Sequence, residues 1–354
     1  MSGNLWSKTL QGQRAQRIEY LLLHEYHDKK YQCPDKYALS KKERMAKLEE
    51  NDADDDAKVK KKGTAYSGGL VLEPKKGLYD KYVLLLDFNS LYPSIIQEYN
   101  ICFSTTQRPE DGTIPPLPDA SLEAGLLPTT IKRLVQRRRQ VKQMMKTEKN
   151  PLKKQQLDIR QQALKLTANS MYGCLGFSSS RFYARPLAEL ITAQGREILQ
   201  STVDLVQGNL GLQVIYGDTD SIMINTNTED LAEVRRLGTL VKTEVNKRYK
   251  LLEIEMDGIY QRMLLLKKKK YAALKVDFDP SGKVLTEREQ KGLDIVRRDW
   301  CPLSKEVGNF VLTEILSGKS CDDVVMAIHN RLQQVRDDLA NDKIPIGKFV
   351  ITKT

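Results

Sequence analysis

Cysteine and histidine are sparse: the 354 residues include 5 Cys and 3 His. Cys33, Cys102, Cys174, Cys301 and Cys321 lie far apart, their number is odd, and no two form a C-x-x-C pair. That pattern argues against a disulfide framework or a zinc ribbon and suits a reducing compartment. His24 and His27 sit one residue too close for an H-E-x-x-H zinc site, so they read as structural or surface histidines. No apolar run approaches the roughly 20 residues of a membrane span, so no membrane is expected as a partner. The opening MSGNLWSKTLQGQRAQR is polar and basic, without the apolar stretch of a signal peptide.

Hydrophobic residues make up 40% of the chain, enough for a sizeable core. Lys and Arg number 57 against 46 Asp and Glu, a formal charge of +11. Such a balance favours an anionic partner, nucleic acid first among them, although charge alone leaves that open.

Residues 13–31 carry helical apolar spacing. Residues 40–63 are dense in charge of both signs and poor in apolar side chains, so they read as a mobile loop, with its KVKKK run more simply a solvated linker than a nucleic-acid contact. The run Tyr82–Leu86 reads as a buried strand ending in Asp87. A Pro- and Gly-rich loop over 107–130 precedes helices at about 129–147 and 153–172, with Asn-Pro between them as a hairpin signal. Helices are also expected over 184–207, 229–250 and 302–340. QVIYGDTDSIMINT reads as a β-hairpin with two Asp in its turn, and MLLLKKKKYAALKVDF as a strand pair. The irregular alternation points to an α+β fold on an antiparallel sheet.

Asp87 closes one apolar strand, and Asp218 and Asp220 occupy the turn of another. With those strands side by side, three carboxylates would meet at one sheet edge. Two carboxylates ~4 Å apart repel by about 4 kcal/mol at an effective dielectric of 20. Such a cluster calls for hard cations, magnesium or manganese. Plain turn chemistry is the simpler alternative. A calcium loop ending at Glu229 fails, because Met223 stands where the sharp turn needs Gly and Ile222 where a ligand is needed.

In the helical hairpin, Arg138 and Lys142 stand at i, i+4, and Lys165, Asn169 and Tyr172 at i, i+4, i+7. Facing cationic stripes can grip a triphosphate, Arg with a fork and Lys with a point charge. A basic, solvated hairpin is the alternative.

DFNSLYPSIIQEYN, KLTANSMYG, YGDTDS and KKKKY together, in this order, resemble the motifs of family B DNA polymerases. The flanking stretches QEYNICFSTT, LKLTANSMYGCLGFSSSRFYA and LLLKKKKYAAL resemble the alpha branch of that family rather than the delta or epsilon branches. The resemblance runs from about residue 3 to the end. It implies an antiparallel-sheet palm (1–125, with the loop 40–63, and 173–299), a helical-hairpin fingers insertion (126–172) and the start of a helical thumb (300–354).

The resemblance also implies roles at matching positions. Asp87 and Asp220 would bind two magnesium ions, or manganese, with the Phe88 carbonyl assisting and Asp218 supporting the site. The backbone of Ser90, Leu91 and Tyr92 would cradle a deoxynucleoside triphosphate that Arg138, Lys142, Lys165 and Asn169 hold. Lys165 would protonate the leaving pyrophosphate, and Tyr92 would act as a steric gate against a 2′-hydroxyl. Tyr172 and Gly173 would lie against the nascent base pair. Tyr66, Gly68 and Gly69 would contact the template, and Lys268, Lys269 and Tyr271 the primer–template duplex.

A family-type proofreading domain, most of the thumb and a cysteine-rich metal module are not seen in the sequence, so it reads as an excised core, and zinc is not expected in this stretch. The whole protein would work in the nucleus with primase and accessory subunits, extending RNA or DNA primers on a DNA template. The alternative is a fragment that binds DNA and nucleotide but does not polymerise.

Overall fold

The computed structural model describes residues 3–35, 66–107, 109, 113–278, 284–297 and 299–352. The loop expected over 40–63 lies outside the described residues. The chain divides into two compact units: Met1–Gly69, Asn89–Ile198 and Tyr249–Glu253 form one; Leu70–Phe88, Leu199–Arg248 and Ile254–Thr354 form the other.

The first unit is helical. Helix α1 (Trp6–Leu10) is followed by α2 (Arg14–Asp28), α3 (Leu91–Glu98), α4 (Leu126–Thr147), α5 (Pro151–Leu175) and α6 (Arg185–Asp204), which leaves the unit after Ile198. Along α2, Ile18, Leu21, Leu22 and Tyr26 recur at helical spacing and are buried, which is why the segment is helical. The expected hairpin of two helices is α4 and α5. Its Asn-Pro signal is the start of the second helix itself. The Asn150 side-chain oxygen accepts from the amides of Leu152 at 3.0 Å and Lys153 at 3.3 Å, and Pro151 takes the first helical position, where no N–H is needed. Ile131, Leu134 and Val141 of α4 and Leu164, Ala168 and Met171 of α5 are buried, as are Ile95 and Ile96 of α3. The Tyr26 and Phe182 rings stack with centroids 5.5 Å apart.

The second unit is built on a seven-stranded antiparallel sheet: β1 (Gly77–Tyr79), β2 (Val83–Phe88), β3 (Gln213–Asp218), β4 (Ser221–Asn225), β5 (Ile254–Lys267), β6 (Lys270–Phe278) and β7 (Val284–Lys291). The order is β3-β4-β2-β5-β6-β7, with β1 beside β5. The sequence expectation of an α+β fold on an antiparallel sheet is met. Strands β1 and β7 were not expected from the sequence. β1 is three residues long, and β7 (VLTEREQK) has no apolar alternation and forms through its ladder with β6.

Strand β2 is central, between β4 and β5, and its apolar run is buried on both faces. Val83 and Leu85 join Ile215, Met223, Tyr260, Met263 and Leu265 in one cluster. Leu84 and Leu86 alternate to the other face. There α7 (Leu231–Asn246) buries Val234, Val241 and Val245. A Cβ at Gly238 of α7 would stand 2.9 Å from Met256 Sδ and 3.3 Å from a Leu84 methyl, so the glycine sets how closely this helix approaches the sheet. The expected C-terminal helical stretch is two helices, α8 (Pro302–Ile315) and α9 (Cys321–Ala340), parted at Gly318, whose φ of 83° suits glycine. Ala272, Leu293, Ile295, Leu312 and Leu316 form a second cluster beneath α8. Among the described residues no helix is long and apolar enough to cross a membrane.

Leu84 is fully buried in the strand that carries Asp87. Leu84→Ala is expected to cost about 2–5 kcal/mol of stability, read as a lowered urea midpoint with unchanged m-value.

Candidate active site

In the sheet unit, β2 ends with Asp87 and Phe88, and the β3–β4 turn carries Asp218, Thr219 and Asp220. The turn is tight: Thr219 has φ 63°, and the Asp220 amide donates to the Asp218 carbonyl at 2.7 Å. Two backbone bonds fix it in place. The Phe88 amide donates to the Asp220 carbonyl at 2.8 Å, and the Thr219 amide to the Leu70 carbonyl at 2.8 Å. The first of these brings Asp220 beside the end of the strand that carries Asp87.

Asp218 is placed differently. It lies opposite Ser221 in the β3–β4 ladder, while Asp87 lies opposite the same Ser221 in the β2–β4 ladder. Two strand spacings, about 10 Å, therefore separate the two backbones. Lys269 Nζ contacts both Asp218 carboxylate oxygens at 2.7 Å. The Tyr216 hydroxyl donates to Asp218 Oδ2 at 3.2 Å and Thr219 Oγ1 to Oδ1 at 3.1 Å. The expected meeting of three carboxylates is thus corrected: among the described residues no group of three or more His, Cys, Asp or Glu side chains could hold a metal ion. The intervening strand β4 and the ammonium of Lys269 are the reason.

Lys269 owes its position to the β5–β6 turn. Its own φ is 61°, and its amide donates to the Tyr216 hydroxyl at 2.8 Å. Gly292 (φ 61°) allows close backbone passage here, since a Cβ would stand 2.0 Å from the Lys269 carbonyl oxygen. Lys268 pairs with Glu73 at 2.5 Å, and Lys270 with Asp294 at 2.8 Å. Tyr271 is buried, 7% exposed, and its hydroxyl donates to Glu289 Oε1 at 3.2 Å. A cavity of about 280 Å³ is lined by Asp87, Asp218, Ser221, Lys269, Tyr271 and Lys291 among others. Glu289 and Lys291 were missed in the sequence because β7 was.

Burial raises the Asp220 carboxyl above its ordinary range, and the charge of Asp218 adds to this. The donor set at this strand end, two carboxylates and a backbone carbonyl, consists of hard oxygens. Magnesium is commonly held by one or two carboxylates together with substrate phosphates, and the oxygens of Asp87, Phe88 and Asp220 are of that donor chemistry.

In the helical unit, the expected nucleotide and base-pair residues fall on α3 and the α4–α5 hairpin. Ser90 caps α3 with left-handed backbone, φ 51° and ψ 55°, so Leu91 and Tyr92 form its first turn. The Tyr92 and Tyr172 rings stack with centroids 4.2 Å apart. Tyr172 and Tyr66 share a hydroxyl–hydroxyl bond of 3.2 Å. Two glycines make room: a Cβ at Gly195 would stand 3.3 Å from the Tyr92 ring, and one at Gly176 2.0 Å from the Tyr66 hydroxyl. Arg196 Nη1 donates to the carbonyls of Ser67 at 3.2 Å and Gly68 at 2.8 Å, which anchors the stretch running to Gly69. Lys142, Lys165, Asn169 and Gly173 are exposed. Arg138 donates from Nε to Gln161 Oε1 at 3.1 Å, a partner the sequence reading did not foresee.

The family model for DNA polymerase family B matches residues 4–354. The chain belongs to DNA polymerase family B. It is 60% identical over 373 residues to the DNA polymerase alpha catalytic subunit of Oryza sativa subsp. japonica, with all of this chain and 24% of that protein covered. The protein of the same name from Mus musculus is 55% identical over 368 residues, covering all of this chain and 25% of the relative. The chain thus spans about a quarter of the length of these curated relatives. Among solved structures, the family B DNA polymerase from Pyrobaculum calidifontis aligns with TM-score 0.64 and 31% identity, over 96% of this chain and 40% of that one. The family resemblance read from the four motifs is therefore met.

The raised pKa of Asp220 has a consequence for stability without metal. A carboxyl raised in the folded state stabilises the fold while protonated and loses that contribution as pH rises through its folded pKa. In chelator, Asp220→Asn is expected to melt higher than the unsubstituted chain at pH 7, with the difference closing toward pH 4. Manganese at pH 7 should raise the melting temperature of the unsubstituted chain and not of the variant.

Proposed function

We propose that this chain is the catalytic core of a DNA-directed DNA polymerase of the alpha type, which extends a primer 3′-hydroxyl with deoxynucleoside triphosphates on a DNA template. The observation that carries the reading is the 2.8 Å bond from the Phe88 amide to the Asp220 carbonyl, which supports it by joining the backbone of the Asp220 turn to the end of the strand that carries Asp87. On this reading residues 1–125 and 173–299 act as palm, 126–172 as fingers and 300–354 as the beginning of a thumb. The whole protein works in the nucleus, where primase and accessory subunits supply and hand over the primer.

The reaction is attack of the primer 3′-oxygen on the α-phosphorus, with pyrophosphate leaving. Asp87, Asp220 and the Phe88 carbonyl would hold two divalent cations, magnesium or manganese, whose chemistry when bound is to acidify the primer hydroxyl and offset charge on the pyrophosphate. Asp218, already paired with Lys269, supports the turn rather than supplying a ligand. Ser90, Leu91 and Tyr92 offer backbone amides of a helix start to the triphosphate. Arg138, Lys142, Lys165 and Asn169 bind its oxygens, and Lys165 delivers a proton to the leaving pyrophosphate. Tyr66, Gly68, Gly69, Tyr172 and Gly173 meet the template and the new base pair, while Lys268, Lys269 and Tyr271 face the duplex. These contacts position the duplex and read no sequence. Catalysis then rests on positioning and fixed charge.

Primer extension with magnesium tests the reading. The unsubstituted chain should extend a primer, and Asp220→Ala should lower the rate at least about a hundredfold. Duplex binding without any extension would instead favour a fragment that binds DNA and nucleotide but does not polymerise.

Tyr92 gives a second test. Its ring is held from one side by Tyr172 and lies over Gly195, so it has little room to yield to a larger sugar. Overpacking by a 2′-hydroxyl costs about 1–3 kcal/mol, roughly 5- to 150-fold. Tyr92→Ala should raise ribonucleotide use relative to deoxyribonucleotide use by a factor in that range, and unchanged sugar selectivity would reject the gate.

A further inference from the structure

We propose that Glu289 on β7 is a positioning residue for the primer terminus. It acts through Tyr271 and Lys291, both of which line the cavity that holds Asp87. The inference rests on the polymerase reading and extends it to a strand that none of the four sequence motifs touches.

One oxygen of Glu289 gathers three groups. Oε1 accepts from the Tyr271 hydroxyl at 3.2 Å and from the Tyr260 hydroxyl at 3.1 Å, and Lys291 Nζ stands 3.4 Å from it. The two hydroxyls are themselves 3.5 Å apart and the rings meet edge to face, centroids 6.1 Å apart. Tyr260 is fully buried and Tyr271 nearly so. Burial drives both phenols upward, so each keeps its proton and remains a donor to the carboxylate. One carboxylate oxygen thus ties two buried tyrosines to a partly exposed lysine.

The two members that reach the cavity bear on a primer end. The cavity's wall carries Asp87 and Asp218 on β2 and β3, and Lys269, Tyr271 and Lys291 at the β5–β6 turn, on β6 and on β7. Lys269 is already bound to Asp218, whereas Lys291 has its ion pair with Glu289. An ammonium held beside a phenol suits the terminal phosphate and sugar of a primer whose 3′-oxygen must reach Asp87. Phosphate contacts of this kind set register without reading sequence. A displacement of about 1 Å at a reacting atom is enough to cost a hundredfold in rate, so a residue that fixes this wall matters for turnover without touching the substrate.

The test uses the whole chain and a primer–template with 2-aminopurine as the primer's 3′-terminal base, and has two readouts: duplex affinity by anisotropy and the terminal base's fluorescence. Glu289→Gln should keep duplex affinity within about threefold while shifting the terminal fluorescence. Tyr271→Phe should shift it in the same direction, and the double variant should equal Glu289→Gln alone, since the Tyr271 hydroxyl acts through Glu289. Terminal fluorescence unchanged in Glu289→Gln, or shifts that sum in the double variant, would overturn the proposal. Should Glu289→Gln fold poorly, Tyr271→Phe decides alone: an unshifted terminal base overturns it. No duplex binding by the unsubstituted chain would overturn the polymerase reading itself, and this proposal with it.

Discussion

A single backbone hydrogen bond, Phe88 N–H to the Asp220 carbonyl at 2.8 Å, closes the strand that carries Asp87 onto the turn that carries Asp220. Everything proposed for the chemistry depends on that closure. The two aspartates come from stretches of chain more than a hundred residues apart, and ionised carboxylates do not draw such stretches together. The sheet does it with backbone ladders instead: β4 pairs with both β2 and β3, and the turn between β3 and β4 is pinned at Thr219 and Asp220. The buried apolar residues Val83, Leu84, Leu85 and Leu86 anchor the β2 end of this arrangement.

Charge around the turn is divided between two solutions. Asp218 has a resident cation in Lys269, backed by the hydroxyls of Tyr216 and Thr219. Asp220 is half-buried, and burial raises its carboxyl above the ordinary range. Two aspartates separated by a single residue in the sequence thus sit in different surroundings. The difference comes from the β5–β6 turn, where Gly292 lets the backbone of Lys269 pass closely enough to deliver its ammonium.

How far the sequence disclosed this follows from physical cause. Strands β2, β3 and β4 were legible because they are buried and apolar, and the helical hairpin because α4 and α5 keep helical period and carry an Asn-Pro start. Strand β7 was not legible. VLTEREQK has no apolar face, and only its ladder with β6 makes it a strand, so Glu289 and Lys291 stayed hidden with it. The four lysines before Tyr271 read as a solvated run or a duplex contact, yet Lys268, Lys269 and Lys270 each have an acidic partner contributed by another part of the chain. The expected meeting of three carboxylates went too far because sequence shows that two Asp share a turn but not that strand β4 lies between Asp218 and Asp87. Family membership itself needed only the four motifs in order.

The most direct measurement of the central claim is anomalous diffraction from a crystal of this chain grown with manganese. The account predicts an anomalous peak within coordination distance of both the Asp87 and Asp220 carboxylates, near the Phe88 carbonyl, with Lys269 still on Asp218. A peak bound elsewhere, or none at this strand end with manganese at saturating concentration, would contradict it.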